Sequence, residues 1–342
     1  MKKNIVKILV LLVLAFLGYI ALTIFYAWYT DFIPERIERL RTESSFAVAD
    51  IDSDTLTFLD WNIGYAGLGR ESDFFYDGGE GVRPSLETAE HNFKGILHTI
   101  SQLKDSVDFF LMQEVDVYSK RTHWINQYEQ LGDVLSGYVS LFSKNYDVEY
   151  IPIPITDPMG KVESGLASFS KYRVKESLRH AFLGNYNFPY SLFFLDRCFM
   201  LKRFDARNGK DLVVINTHNS AYDDGTLKKK QMEQLRSVLL DEHAKGNYVI
   251  VGGDWNQRPT GLPNSKPTIL DNYPVKGWTC SYDQDTPTHR HLNEAYSPET
   301  TYTGIIDFYV SSPNVDVIMV STIDQQFEYS DHQPVLMRAV LK

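Results

Sequence analysis

Apolar and polar positions follow two distinct periods along this chain. Leu86, Ala89, Phe93, Ile96, Leu97, Ile100 and Leu103 recur at the spacing of one helix face, and Pro84-Ser85 just before them supplies a start signal. Leu227, Met232, Leu235, Val238 and Leu239 form a second stripe, which predicts a helix from about Thr226 to His243. Shorter apolar runs read as strands at 55–61, 107–112, 165–174, 195–204, 212–215, 248–251, 305–310, 315–320 and 335–341. Many strands with only two strong helices predict an α/β fold, in which two sheets pack face to face with helices outside.

Ahead of this pattern, Ile8 to Tyr29 is almost wholly apolar and carries no charge, which is long enough to span a bilayer as one helix. Tyr26, Trp28 and Tyr29 stand at its far end, where an aromatic belt would lie. A cleaved signal peptide is the other reading, and no small-x-small cleavage pattern follows the run to support it. Lys2, Lys3 and Lys7 before the span nearly balance Arg36, Arg39 and Arg41 after it, so charge alone sets no orientation. A short N-terminal tail favours export of the large domain, outside the cytoplasm. Residues 1–29 are thus expected to anchor the chain, 30–53 to form a polar stalk or short helix, and 54–342 to form one globular domain.

Composition narrows the functions. At 342 residues the chain has length for two average domains, but no linker or repeat divides it, and 13% aromatic residues furnish a large core. The net charge of −10 argues against a protein that grips nucleic acid mainly by neutralising phosphates. Catalysis on a phosphodiester remains open, because a bound cation would supply local positive charge. Two cysteines, Cys198 and Cys280, make neither a metal pair nor a disulfide scaffold. They would pair in an oxidising compartment, or Cys198 is simply a strand thiol.

Candidate chemistry gathers where the strands run out: Trp61-Asn62, Gln113-Glu114, Asn216-Thr217-His218, Gly253-Asp254-Trp255-Asn256, Asp307 and Ser330-Asp331-His332. Hard oxygen ligands, carboxamides and two imidazoles are the inventory for holding a divalent cation and cutting a phosphate ester with water. The spacing of two between Asp254 and Asn256 sends both side chains the same way, and the glycines before them permit a sharp turn. Asp307 is a candidate orienter for His332, and Glu163 for His218. Each residue alone has a bland reading: a strand-end salt bridge for Glu114, a turn for Asn62, a structural role for one histidine. Arg197 is either a phosphate contact or a structural ion-pair partner of Asp196. Lys228-Lys229-Lys230 reads as a solvated helix face, or as a contact for an anionic substrate.

The ordered set from Trp61-Asn62 through Gln113-Glu114-Val115-Asp116, Glu163 to Ser170, Asn216-Thr217-His218, Gly253 to Asn256, Ile306-Asp307-Phe308 and Ser330-Asp331-His332 resembles the endonuclease/exonuclease/phosphatase superfamily, with its deoxyribonuclease I-like fold. The resemblance covers about residues 55 to 342. It implies a four-layer α/β sandwich and a metal-dependent phosphodiesterase or nuclease-type hydrolase. Glu114 would be the principal ligand of Mg²⁺ or Mn²⁺, supported by Asn62 and Asp331. Asp254 and Asn256 would orient the attacking water and the scissile phosphate. His332, oriented by Asp307, would act as general base or phosphate stabiliser, and His218, paired with Glu163, would assist the leaving group.

The superfamily's substrates include nucleic acids, phospholipid head groups and inositol phosphates, so choice falls to the loops. Three are distinctive: 69–83 with Phe74-Phe75-Tyr76, the aromatic stretch 185–194, and 279–291 with His289 and His291. Their aromatics would stack on bases or enter a bilayer interface, while Phe193 and Phe194 are expected to face the core. A membrane tether and an acidic surface tilt the balance towards lipid, although no long exposed hydrophobic hairpin is evident. The rival class is a membrane-anchored phosphate-ligand binding protein of the same fold without turnover. No protein partner is inferred.

Overall fold

In the computed structural model, which describes residues 2–42, 49–206, 209–262, 273 and 277–342, both amphipathic stripes become helices. In chain order, helix α1 spans Lys2–Tyr29, α2 Leu86–Leu103, α3 Gln127–Val134 and α4 Thr226–Ala244. The first strands are β1 Ile37–Arg39, β2 Thr55–Asn62, β3 Phe109–Asp116, β4 Val139–Ile151, β5 Gly160–Ser170, β6 Glu176–Ala181, β7 Cys198–Asp205 and β8 Asp211–His218. They are followed by β9 Tyr248–Asp254, β10 Thr279–Ser281, β11 His289–Arg290, β12 Thr303–Gly304, β13 Asp307–Ser311, β14 Val315–Thr322 and β15 Val335–Leu341.

One sheet runs β1-β6-β7-β8-β9-β13-β10 and the other β14-β15-β2-β3-β5-β4, with β11 and β12 as a separate ribbon. Strand periodicity assigns the layers. Phe58, Phe109 and Leu111 face inward to meet Phe204, Leu212, Val214, Ile250 and Tyr309 of the opposite sheet. The alternate residues Leu59, Trp61, Phe110 and Met112 face outward under Phe93, Ile96 and Ile100 of α2. On the far side, Met232, Leu235 and Leu239 of α4 cover Val213, Ile215, Val249 and Val251. The result is the expected four-layer α/β sandwich of mostly antiparallel sheets. Each fully buried large side chain contributes about 1.5–3 kcal/mol. The expected start of α2 is also real, since the Ser85 hydroxyl accepts the Thr88 N–H at 3.1 Å.

Two pairings are parallel, β2 with β3 and β8 with β9, in opposite sheets. The C-terminal ends of both pairs come to the same edge of the sandwich, where the polar motifs stand. Beneath that edge runs a buried polar chain. Gln113 donates to Asp60 and to Asn216, both at 2.8 Å, and Lys202 donates to Ser168 at 2.7 Å.

Several expectations change. Residues 37–39 of the segment 30–53 are a strand, pairing with His180, Arg179 and Leu178, and Ala49 bridges Tyr172, so much of this stretch is fastened to the domain rather than free as a stalk. Residues 43–48 of that segment lie outside the described residues. Strand β3 continues through Gln113-Glu114 to Asp116 instead of ending at Met112. β4, β6 and α3 were not expected from the apolar runs, because polar residues such as Ser143 and Asn145 face inward in β4. Cys198 and Cys280 are both free, and the Cys198 thiol lies 3.4 Å from the Ser143 hydroxyl. Helix α1 is long and apolar enough to cross a membrane.

Candidate active site

Strand register assembles the site. In one sheet His218 is level with Asp254 across the β8–β9 pair, and Asp254 is level with Asp307 across β9–β13. In the other sheet Asn62 closes β2 beside Gln113 of β3. A bulge then redirects β3: between Met112 and Val115 it carries one residue more than β5 opposite it, and Glu114 adopts φ +54°. This left-handed conformation is uncommon for glutamate and costs on the order of 1–3 kcal/mol. It sends Gln113 between the sheets and leaves Glu114 on the cleft wall.

Asp254 is the hub. Its Oδ1 accepts the Asn256 N–H at 2.8 Å, and its Oδ2 accepts the Asn62 and Asn256 amides at 3.1 and 3.2 Å. The same Oδ2 lies 3.4 Å from Nε2 of His218 and 3.9 Å from Nε2 of His332. Gly253 makes this turn possible, since at φ +150° an added Cβ would lie 2.0 Å from the Thr217 carbonyl oxygen. Asn256, at φ +49°, also donates to the Asn219 carbonyl at 2.9 Å.

His332 sits between acids. Nδ1 meets both oxygens of Asp307 at 2.9 and 3.0 Å, and Nε2 is 3.8 Å from Asp331. Burial opposes the charged ring, but Asp307, Asp331 and Asp254 outweigh it and hold His332 well above the usual histidine range. His218 has the reverse bias. Burial, then the charges of Arg197 and His332, depress it well below that range. Burial, partly offset by His332, raises Asp307 to about 6. Burial likewise raises Asp331 to about 7, with Glu114 pushing in the same direction. Ser330 locks the loop, donating to the Asn62 carbonyl at 2.9 Å while accepting the His332 N–H at 3.1 Å.

The expected site residues are brought together with one exception. Glu163 turns away to Lys144, 3.5 Å distant, because its register opposite Asp147 places it in the charged ladder of the β4–β5 hairpin. Instead of Glu163, the His218 ring has Asp254 and, at 3.9 Å, Glu114 for acidic neighbours, and its Nδ1 has no hydrogen-bond partner. Asn62 also differs from a ligand. Its oxygen accepts the Gly64 N–H at 3.0 Å, so its NH₂ faces Glu114 and Asp254 at 3.3 and 3.1 Å. Asn62 therefore ties carboxylates together.

A cleft of ≈ 300 Å³ contains Glu114, His218, Asp254, Asn256 and Asp331. All three distinctive loops line it, through Phe74 and Tyr76, Tyr186 and Phe194, and His289 and His291. Phe194, expected in the core, is thus a cleft residue. Arg197 also faces the cleft, where its Nη1 is buried without a partner, and Asp196 takes the Asn185 amide at 3.1 Å instead. In the Lys228–Lys230 run, Lys228 is 3.8 Å from Asp223 and the next two residues are exposed. His289, singled out in the loop 279–291, stands 5.3 Å from His332 between ring centroids, and Arg290, which the sequence reading missed, binds the carbonyls of Gly69 and Ser72 at 2.7 and 2.9 Å, fastening two cleft loops together. The only sequence signal for Arg290 is its place between those two histidines in Thr288-His289-Arg290-His291.

Two placements suggest themselves for a cation. Asp254, Asp307 and His332 each offer a ligand atom within 4.8 Å of the others. However, Nδ1 of His332 is already spent on Asp307, so that group fits a hydrogen-bonded relay better than a ligand set. Glu114 and Asp331 raise the second placement. They are hard oxygen donors in one cleft, where burial and then the Glu114 charge push the Asp331 carboxyl up, and such donors fit a divalent ion of the Mg²⁺ or Mn²⁺ type.

The family model described as Endonuclease/Exonuclease/phosphatase family matches residues 61–332. A search of curated proteins gives no match. Among solved structures, an endonuclease/exonuclease/phosphatase from Beutenbergia cavernae is 20% identical with a TM-score of 0.56, over 84% of this chain and 72% of that one. The human Nocturnin catalytic domain with bound sulfate is 17% identical at 0.56, over 89% of this chain and 98% of its own. A mannosyl-6-phosphatase from Bacteroides thetaiotaomicron is 16% identical at 0.55, over 84% and 100%. At these identities the likeness is one of fold.

Proposed function

Because the chain belongs to the endonuclease/exonuclease/phosphatase family, a family of phosphoester-hydrolase fold, we propose that it is a divalent-metal-dependent phosphodiesterase working by attack of an activated water. The observation that carries this reading is the position of the Asp254 carboxylate, 3.4 and 3.9 Å from two histidines of opposite protonation bias, beside Glu114. A relic binding protein would have no need of that arrangement.

In this reading Glu114 and Asp331 hold Mg²⁺ or Mn²⁺, which supplies charge neutralisation at the phosphate when bound. Asn62 keeps Glu114 and Asp254 at fixed separation. Asp254, steadied by Asn256, accepts a hydrogen bond from the attacking water and takes its proton. His332, kept protonated by Asp307, donates to a non-bridging phosphate oxygen as charge builds there. His218, neutral at pH 7, donates one ring N–H to the ester oxygen that departs as the P–O bond opposite the attacking water breaks, and that oxygen takes up its proton from solvent. The unpartnered Arg197 guanidinium nitrogen offers a second contact to the same anion. Residues 8–29 serve as a single-pass anchor with the domain 54–342 outside the cytoplasm; the span is supported by the uncharged run 8–29 within α1, and the orientation by the short N-terminal tail.

Hydrolysis of bis(p-nitrophenyl) phosphate by the purified chain, with Mg²⁺ and then Mn²⁺, tests the assignment. Asp254→Asn and His332→Ala are each expected to lower kcat by ~10²–10⁴-fold. Equal activity in the unaltered chain and both variants would sink it.

A further inference from the structure

The wall of the cleft continues into an uncharged apolar rim that meets helix α1. From Phe182 to Leu195 no residue is charged, and from Tyr150 to Thr156 none is either, in a chain with 23% charged residues. Each segment has a cleft end and a rim end. Tyr186 and Phe194 line the cleft while Phe188 and Tyr190, 66% and 65% exposed, point out. Asn145, Tyr146 and Met159 of the β4–β5 hairpin line the cleft while its tip carries Ile153 and Ile155, the latter 66% exposed.

Helix α1 packs against both, at β4 and at the turn 190–193. Its Thr23, Ile24 and Ala27 turn away from solvent, and the Tyr19 hydroxyl meets the Tyr150 hydroxyl at 3.3 Å. Tyr19 lies ten residues before Tyr29, about 15 Å along the helix. If α1 crosses a bilayer, that contact carries the hairpin tip below the headgroups, where only an uncharged tip is tolerated. The charges nearest the tip are already paired, since Asp157 pairs with Arg83, and Lys144 and Lys161 between them bind Asp147 and Glu149. From Tyr150 back to Tyr146 is about 14 Å of strand.

We propose that the hairpin tip 151–155 and the loop 183–190 seat in the bilayer beside α1, so that the cleft opens at headgroup level and its substrate is a phosphoester carried by a membrane lipid. The substrate part rests on the phosphodiesterase reading; the seating does not. An aromatic wall of Tyr76, Tyr186, Phe194 and Tyr222 suits this placement, because such rings bridge apolar chain and polar headgroup.

The test uses the full chain in vesicles of phosphatidylcholine and phosphatidylinositol. A bimane label at Ile155→Cys or Phe188→Cys, in a Cys280→Ser background, should be quenched by doxyl-labelled lipid and shielded from aqueous iodide. Quenching by iodide alone would overturn the seating. Separately, the double variant Ile155→Ser/Phe188→Ser should lose at least about tenfold in headgroup release from the vesicles while keeping turnover of bis(p-nitrophenyl) phosphate. Equal loss on both substrates, no loss on either, or turnover of the soluble ester by the unaltered chain without headgroup release overturns the lipid assignment. If the unaltered chain hydrolyses neither, the phosphodiesterase reading falls, and the quenching result still decides the seating.

Discussion

Asp307 and Glu114 illustrate how single residues set the chemistry. The raised pKa of His332 is a balance between burial and three carboxylates, of which Asp307 is the one in direct contact. A histidine whose pKa is raised stays charged until pH climbs through that value, so the protonated form is lost on the alkaline side. Asp307→Asn removes the chief support and should move the alkaline limb of kcat/KM to lower pH, read from a pH series on a soluble diester. An unmoved limb would detach His332 from the rate. Glu114 makes a different prediction. Glu114→Gln should raise the Mg²⁺ concentration needed for half-maximal rate and leave the circular dichroism spectrum unchanged, because the side chain ends on the cleft wall rather than in a core. The motif residues were readable in the sequence as types. That Glu163 would turn to Lys144 was not, because it depends on the register of the β4–β5 hairpin, whereas the turn in which the Asn62 oxygen takes the Gly64 N–H is local and is one of the readings the sequence leaves open for Asn62.

Among the elements, helix α4 is held to its sheet at the C-terminal end by an ionic clasp. Glu242 pairs with Arg203 of β7 and takes the Lys245 ammonium at 2.6 Å and the Asn247 amide at 3.0 Å. Burial would raise the Glu242 carboxyl, but these partners overcome it and lower the carboxyl to about 2. A depressed carboxyl stabilises the fold above its unfolded value of about 4.3, and that contribution disappears as pH falls towards the folded value. Glu242→Gln should therefore lower Tm at pH 7, with the gap to wild type closing across about pH 4 to 2. A gap that persists at the acid end would rule out the clasp as its origin. The two long helices were legible because their stripes are strictly periodic. β4 and β6 were not, since strands that turn Ser143, Asn145 or Arg179 inward carry no clean apolar run.

Over the whole molecule, the three largest apolar cores among the described residues are closed by side chains alone: one between the sheets and one under each helical layer. Chelation should accordingly abolish hydrolysis and leave the fold standing. The expected change in Tm is that of a single bound ligand, worth about 2.7 kcal/mol at a hundredfold excess over Kd, and a chelated chain that unfolds at room temperature would contradict the cores described. The parallel pairs β2–β3 and β8–β9 are what bring the site together, because their C-terminal ends share one edge of the sandwich. In each pair the two strands are successive along the chain and joined by a crossover that contains α2 or α4, and the shared edge comes from how the two sheets pack on each other.

Local sequence by itself determined the long apolar helix, the two amphipathic helices, most strands and the residue types at their ends, since each is set by periodicity and side-chain chemistry within a short window. Only the tertiary structure decided which of those ends meet. The bulge that turns Glu114 into the cleft, the register that aligns His218, Asp254 and Asp307, and the contact of α1 with the cleft rim all arise from pairings between distant segments. Such pairings are chosen by how the sheets bury their faces together, a collective balance that no single window of residues contains.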